Sequence, residues 1–275
     1  MITPAFARVR IALRGGGDLG SGVAYRLYKA GFPVLITELA HPLLVRRAVS
    51  FGSAALEGAI TVEDVTARRV ESVSEALDVQ AAGEIPVLVD PDGEHLAEYA
   101  PVVLVDARMM KRDPGVQPGE AALVVGLGPG FEAPRNCDAV IETNRGHFLG
   151  RAIWQGGAEP DTGKPGRVQG HTADRVVRAP ASGTVRGLAA IGDALQGGDP
   201  IAEVGGETVS APFDGMLRGL VHDGLAVQAG TKIGDVDPRA VRAHCFTISE
   251  KSLAIGGGVL EAVLSAPAVR RHLGG

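Results

Sequence analysis

The chain contains only two cysteines, Cys137 and Cys245, which excludes a disulfide framework and a cysteine-rich metal centre and fits a reducing, cytoplasmic setting. Its seven histidines show no H-x-E or H-E-x-x-H spacing, so no metal site is expected. Positive charge is not in excess. The 27 Lys and Arg against 32 Asp and Glu leave a net charge of -5, and neither nucleic acid nor an acidic membrane is an expected partner. No apolar run reaches membrane-spanning length, and the opening MITPAFARVRIALRGGG has arginines inside its apolar stretch and no export-signal core or cleavage site. Aromatics are scarce at 4%, so aliphatic side chains supply most of the 45% hydrophobic content.

That apolar content leaves little room for a long disordered region, and 275 residues exceed what one compact core usually holds. Two domains are the first expectation. The 39 glycines imply many turns and close backbone approaches. Residues 9–13, 34–37, 87–89, 102–105, 123–125 and 139–141 are short apolar runs ending in glycine or polar loops, the pattern of a buried parallel sheet. Between the first two, Ser21 is a candidate helix cap, Val23, Ala24, Leu27 and Ala30 repeat at helical spacing, and Gly31 ends the helix. The first half therefore reads as an α/β, Rossmann-like parallel-sheet domain over 1–153.

From Trp154 to about 178 the chain is rich in Gly, Pro and polar residues and reads as a connector. An internal repeat follows. APASGTVRGLAAIGDALQGGDPIAEV from Ala179 aligns without gaps to APFDGMLRGLVHDGLAVQAGTKIGDV from Ala211, with Arg186 opposite Arg218, Gln196 opposite Gln228 and Ile201 opposite Ile233. This repeat resembles the barrel-sandwich domain of biotinyl and lipoyl carrier proteins. The resemblance implies a small all-β domain over 179–238, inserted in or appended to the first. The hairpin that bears the carrier lysine in those proteins corresponds to VGGETVSAP here, which has no lysine. A docking, positioning or oligomerising role is therefore expected in place of a swinging arm.

Gly15, Gly17 and Gly20 satisfy G-x-G-x-x-G between a strand and a helix, the setting in which that motif binds a dinucleotide. The glycines would allow a tight turn, a close pyrophosphate and close helix packing, with Asp18 and Ser21 in the same loop and Glu38 placed to accept from a ribose hydroxyl. Asp18 counts against a phosphate unless its carboxylate turns outward. A second loop carries Gly126, Gly128 and Gly130 after another strand, and Thr143, Asn144, Arg145 and His147 follow a third strand end with donors for phosphate or carboxylate. The plain alternatives are a ligand-free strand–turn–helix at the first loop and, at the third, an arginine meeting solvent or an acid such as Glu142. Cys137 and Cys245 read as buried apolar residues. Leu253 to Leu264 reads as a glycine-opened amphipathic helix with Val259, Leu260, Val263 and Leu264 on one side, in a segment 239–275 expected to pack on the first domain. Its Gly256, Gly257 and Gly258 suit either a third glycine-rich surface or a close helix crossing.

Taken together, RGGGDLGSGVAYRLYKAGFPVLITELAHPLLVRRAV, VVGLGPGFEAPRNCDAVIETNRGHFLGR and CFTISEKSLAIGGGVLEAVL resemble the YqeB-type accessory proteins of the selenium-dependent molybdenum hydroxylase system over nearly the whole chain. The resemblance implies a role in maturing xanthine dehydrogenase-like enzymes, with a molybdenum hydroxylase as client. A nucleotide, a molybdopterin dinucleotide or an NAD-like ligand would each be consistent with the glycine loops. The resemblance assigns no catalytic residue. An NAD-dependent oxidoreductase and a non-enzymatic metabolite-binding scaffold stay open as alternatives, as does assembly into a homo-oligomer; no Ser-Tyr-Lys or His-Asp arrangement stands out for hydride chemistry.

Overall fold

The computed structural model describes residues 5–110, 112, 115–160 and 173–274. These group into two units: the first draws on Met1–Ala40, Phe51–Thr162 and Ile248–Gly275, the second on His41–Ser50 and Gly163–Thr247. Residues 161–172 of the expected connector lie outside the described residues.

The first unit is built on a nine-stranded sheet. Its chain runs through β1 (Ile11–Arg14), α1 (Asp18–Lys29), β2 (Val34–Glu38), α2 (Ala54–Glu57), β3 (Ala59–Val62), β4 (Val65–Val70), α3 (Val73–Ala81), β5 (Ile85–Val89), α4 (Leu96–Tyr99), β6 (Val103–Asp106), β7 (Leu123–Leu127), β8 (Glu132–Ala133), β9 (Ala139–Ile141), β10 (Ala152–Ile153) and β11 (Gly156–Gly157). The order across the sheet is β10-β9-β7-β6-β1-β2-β5-β4-β3. The seven strands from β9 to β4 are mutually parallel, and β10 and β3 add antiparallel edges. β1, β2, β6, β7 and β9 are buried at every position, as a sheet covered on both faces requires. Along β1 the side chains alternate. Ala12 joins Leu35, Leu104, Tyr99 and the α3 residues Val73, Ala76 and Val79 in one core, so Arg14, two residues on, lies toward that face as well.

One expectation about α1 changes. The helix begins at Asp18 with Gly17 at its N-cap, and Ser21 sits inside it, fully buried. The sequence reading also passed over the β3–β4 hairpin and α3; the latter opens on Ser72, whose side chain accepts from Glu75 N.

The second unit consists of β12 (Val176–Arg178), β13 (Gly183–Gly187), β14 (Ala194–Leu195), β15 (Pro200–Val204), β16 (Glu207–Ser210), β17 (Gly215–Leu220), β18 (Ala226–Val227), β19 (Lys232–Asp237) and the short α5 (Ala243–Phe246). It holds two antiparallel sheets, β12-β19-β17-β14 and β16-β15-β13-β18. The strand starts Gly183 and Gly215, Ala194 and Ala226, and Pro200 and Lys232 reproduce the register of the sequence repeat. Each sheet takes strands from both halves, so neither half closes its own core. At the tip between β15 and β16, Gly205 (φ 61°) and Gly206 (φ 86°) both adopt the left-handed backbone of a two-residue hairpin turn. Cys245 is buried in α5, with its thiol donating to the Leu217 carbonyl.

The chain returns to the first unit as α6 (Glu250–Ser265) and α7 (Pro267–Leu273). α6 starts three residues before the expected Leu253 because Ser249 caps it, accepting from Ser252 N. Its glycines lie within the helix, where they admit a neighbour. A β-carbon on Gly256 would lie 2.5 Å from the Gly22 carbonyl oxygen, and one on Gly22 would lie 2.5 Å from the Ser252 carbonyl carbon. Gly258 approaches the Gly150 carbonyl in the same way, whereas a β-carbon on Gly257 would meet nothing. The close helix crossing is thus what Gly256 and Gly258 provide. Ile255, Val259, Ala262 and Val263 are buried along this side, while Leu264, expected with them, is exposed.

Candidate functional site

Parallel pairing puts the loops after β1, β6, β7 and β9 on one edge of the sheet. The chain leaves β1 on one side for β2 and later returns on its other side as β6, so the topological switch lies between β1 and β6 at the first glycine loop. Within that loop Gly15 has φ 94°, which only glycine takes without strain. Gly20 lets α1 close onto the Gly15 carbonyl. Gly17 caps α1 and, being glycine, supplies no side-chain cap to the start of that helix.

The flank of this loop is closed by residues 51–53. Gly52 N donates to the Gly16 carbonyl at 2.8 Å, and a β-carbon on Gly16 would lie 2.6 Å from Gly52 N. The Ser21 hydroxyl donates to Gly16 O at 3.0 Å and accepts from Phe51 N at 2.8 Å. Glu38 belongs to the same knot: its Oε2 accepts from Gly16 N and its Oε1 from Leu39 N, both at 2.8 Å. Burial pushes the Glu38 carboxyl up, while the two backbone donors pull it back. Ser21 and Glu38 therefore hold the turn itself.

Asp18 points the other way, toward α6. Its Oδ1 accepts from the Ser252 hydroxyl at 2.9 Å, so the carboxylate is tied to the start of a second helix. Arg145 reaches the same helix end and pairs with Glu250 at 2.6 Å rather than with Glu142. The buried Glu142 takes the amide N–H of Asn144 and of Glu159, each at 2.7 Å, while the Asn144 side chain donates to Glu159. Between these groups lies Lys251, whose ammonium is pushed below its ordinary pKa by burial and by Arg145, against the pull of Asp18, Glu142 and Glu250. Lys251 and Ser252 were missed from sequence. The S-x-x-S spacing of Ser249 and Ser252 is a cap signal that would have started α6 early enough to place them.

The second glycine loop packs tightly against its neighbours. The Phe131 ring fills the space beside Gly126, the Thr143 hydroxyl that beside Gly128, and the Arg112 carbonyl that beside Gly130. Gly128 and Gly130 have φ of 70° and 105°. His147 meets the Phe148 ring edge-on at 5.0 Å. Cys137 is fully buried, and its thiol is pushed up to about 11, chiefly by burial, which disfavours the thiolate.

The structure thus joins Asp18 and Arg145 to the start of α6, with Glu142 close enough to act on Lys251 and Asn144 held on Glu142 and Glu159. Glu38 lies apart on β2, across β1 from that cluster. No single helix among the described residues is long and apolar enough to cross a membrane. No protein-family model matches the chain. Over 254 residues, 92% of its length, the chain is 48% identical to "Uncharacterized protein YqeB" of Escherichia coli (strain K12). The matched region is 47% of that protein, so the chain, similar to YqeB nearly throughout, spans about half of this relative's length.

Proposed function

We propose that this protein is an accessory factor in the maturation of molybdenum hydroxylases and that it holds a nucleotide-bearing cofactor at the β1–α1 edge of its first unit. The observation that carries the reading is the meeting of two helix N-termini, α1 and α6, beside the half-buried Lys251. Helix N-termini present amide donors and positive dipole ends, and a nearby lysine adds a mobile charge, a combination suited to phosphate. The order β5-β2-β1-β6-β7-β9 matches 3-2-1-4-5-6, the arrangement of dinucleotide-binding sheets, and supports reading the unit as Rossmann-like. The interlocked repeat supports reading the second unit as a barrel-sandwich module that docks a client. The maturation role rests on the motifs shared with the YqeB-type accessory proteins and on the similarity to YqeB.

The fit to a dinucleotide is specific about roles. The α1 amides and Lys251 would hold phosphate, Arg145 would be drawn from Glu250 toward it, and Asp18 is kept aside by Ser252. Glu38 already binds two amides and can accept a ribose hydroxyl only through its remaining lone pairs. Native mass spectrometry and thermal-shift screening of the chain against NAD(H), NADP(H), CTP, ATP and molybdopterin dinucleotides test the reading. Retention of one of these, weakened about tenfold or more in Lys251→Ala by loss of one charge-assisted contact, is the expected result. A chain that binds none of them, or a folded Gly17→Asp variant that binds as tightly as the parent, would overturn the nucleotide site. Hydride turnover would replace the accessory role with an oxidoreductase.

A further inference from the structure

On the α4 face of the same unit lies a cleft of about 470 Å³, within the size range of small-molecule sites. Its walls are apolar at Leu96, Ala97 and Leu104 and polar at Arg14, Asp92 and Glu120. The described residues of the crossover from β6 to β7, from which Glu120 reaches the cleft, form no helix.

Arg14, at the end of β1, is 8% exposed. Its one side-chain hydrogen bond among the described residues runs from Nη2 to the Pro91 carbonyl at 3.0 Å, and its Nε is buried with no hydrogen-bond partner. The nearby carboxylates are committed elsewhere. Asp106 takes the Nε, Nη2 and backbone N–H of Arg108. Asp90 takes the backbone N–H of Gly93, Glu94 and His95. Glu120 accepts from Gln117 N at 2.7 Å. A buried guanidinium with no carboxylate at hydrogen-bond distance is costly to keep in a fold. Burial and the neighbouring Arg108 lower its pKa against the pull of Asp106, Glu120 and Asp90, none of which hydrogen-bonds it among the described residues.

We propose that this cleft binds a small organic acid, its carboxylate on Arg14 and its apolar body against Leu96, Ala97 and Leu104. Asp92 and Glu120 line the same cleft and favour a hydroxyl or amine on the rest of the ligand over a second negative charge. The guanidinium fork suits a planar carboxylate, and the apolar wall selects against acetate-sized anions. Arg14 directly precedes Gly15, but the cleft lies on the α4 face and is lined by no residue of the glycine turn or of α6, so the proposal does not rest on a nucleotide at that turn.

Calorimetric or NMR titration of the whole chain with benzoate, acetate and the neutral isostere benzamide tests the proposal. Benzoate is expected to bind saturably, with acetate and benzamide each about tenfold or more weaker, the scale of one lost apolar contact or charge-assisted pair. Arg14→Gln, which keeps a donor for the Pro91 carbonyl, is expected to weaken benzoate to the level of benzamide. Ala97→Trp, on the exposed side of α4, is expected to block the cleft without touching Arg14. No saturable benzoate binding, benzamide binding as tightly as benzoate, or benzoate affinity unchanged in a folded Arg14→Gln or Ala97→Trp chain would each overturn it.

Discussion

At the residue scale, one histidine gives a pH prediction with a definite sign. His222 is buried in the second unit, and burial together with Arg47 lowers its pKa to about 4. Arg47 Nη1 lies 3.2 Å from His222 Nδ1 and can only donate, so Nδ1 is the acceptor of a neutral ring. The unfolded chain takes up this proton near 6.5, before the folded one does, so stability is expected to fall as pH drops from about 6.5 toward 4. Thermal melts from pH 7 to 4.5 check this, and His222→Gln should flatten that part of the profile. Equal slopes in the two proteins would sink the assignment. Asp237 acts lower. Burial pushes it up, but hydrogen bonds from Arg239 outweigh that and hold it at about 2, so its contribution is lost only below the ordinary 3.8. Glu38 offers another test, because Glu38→Gln leaves one acceptor oxygen for two amides. A loss of about 1–3 kcal/mol in denaturant unfolding is expected from the orphaned buried N–H.

At the element scale, the α1–α6 crossing is the least forgiving contact. Gly22 and Gly256 meet backbone to backbone, and a valine at either position must separate the helices. Gly256→Val should cost about 1–3 kcal/mol or more, measured by denaturant unfolding, since overpacking at backbone contact has no side chain to displace. Gly257→Ala is the control; its β-carbon would meet nothing, and replacing a mid-helix glycine should stabilise by roughly 0.5–1 kcal/mol. Equal effects of the two substitutions would mean that the crossing is looser than described. The same crossing sets Ser252 on Asp18 and brings Lys251 to the glycine turn.

At the scale of the whole molecule, each unit depends on distant parts of the chain. The first recruits residues from 248 onward, so removing them strips α6 from α1 and from the β7–β9 side of the sheet. Such a truncation is expected to lose the cooperative melt of the α/β unit by calorimetry, because α1 around Gly22 and the buried Ile141 of β9 lose the helix packed on them. An unchanged calorimetric trace would show that α6 is dispensable. The second unit interlocks two repeats, with β12 and β14 of the first half pairing to β19 and β17 of the second.

Much of this was legible beforehand for a physical reason. Short buried strands, a strand–turn–helix with glycines and a 32-residue repeat are local or periodic signals, and the parallel runs at 34–37, 123–125 and 139–141 became β2, β7 and β9. The half-polar β3–β4 hairpin and α3 were not read because their apolar positions are few and interrupted. The sequence by itself determined the glycine turn, the first strand–helix–strand succession and the repeat. Only the tertiary structure decided the partners: Glu38 and Ser21 within the turn, Asp18 on Ser252, Arg145 on Glu250, and the buried Arg14 on the Pro91 carbonyl. Those pairings join residues as far as 234 positions apart. Local sequence pattern carries no such distance, and packing settles which charge meets which.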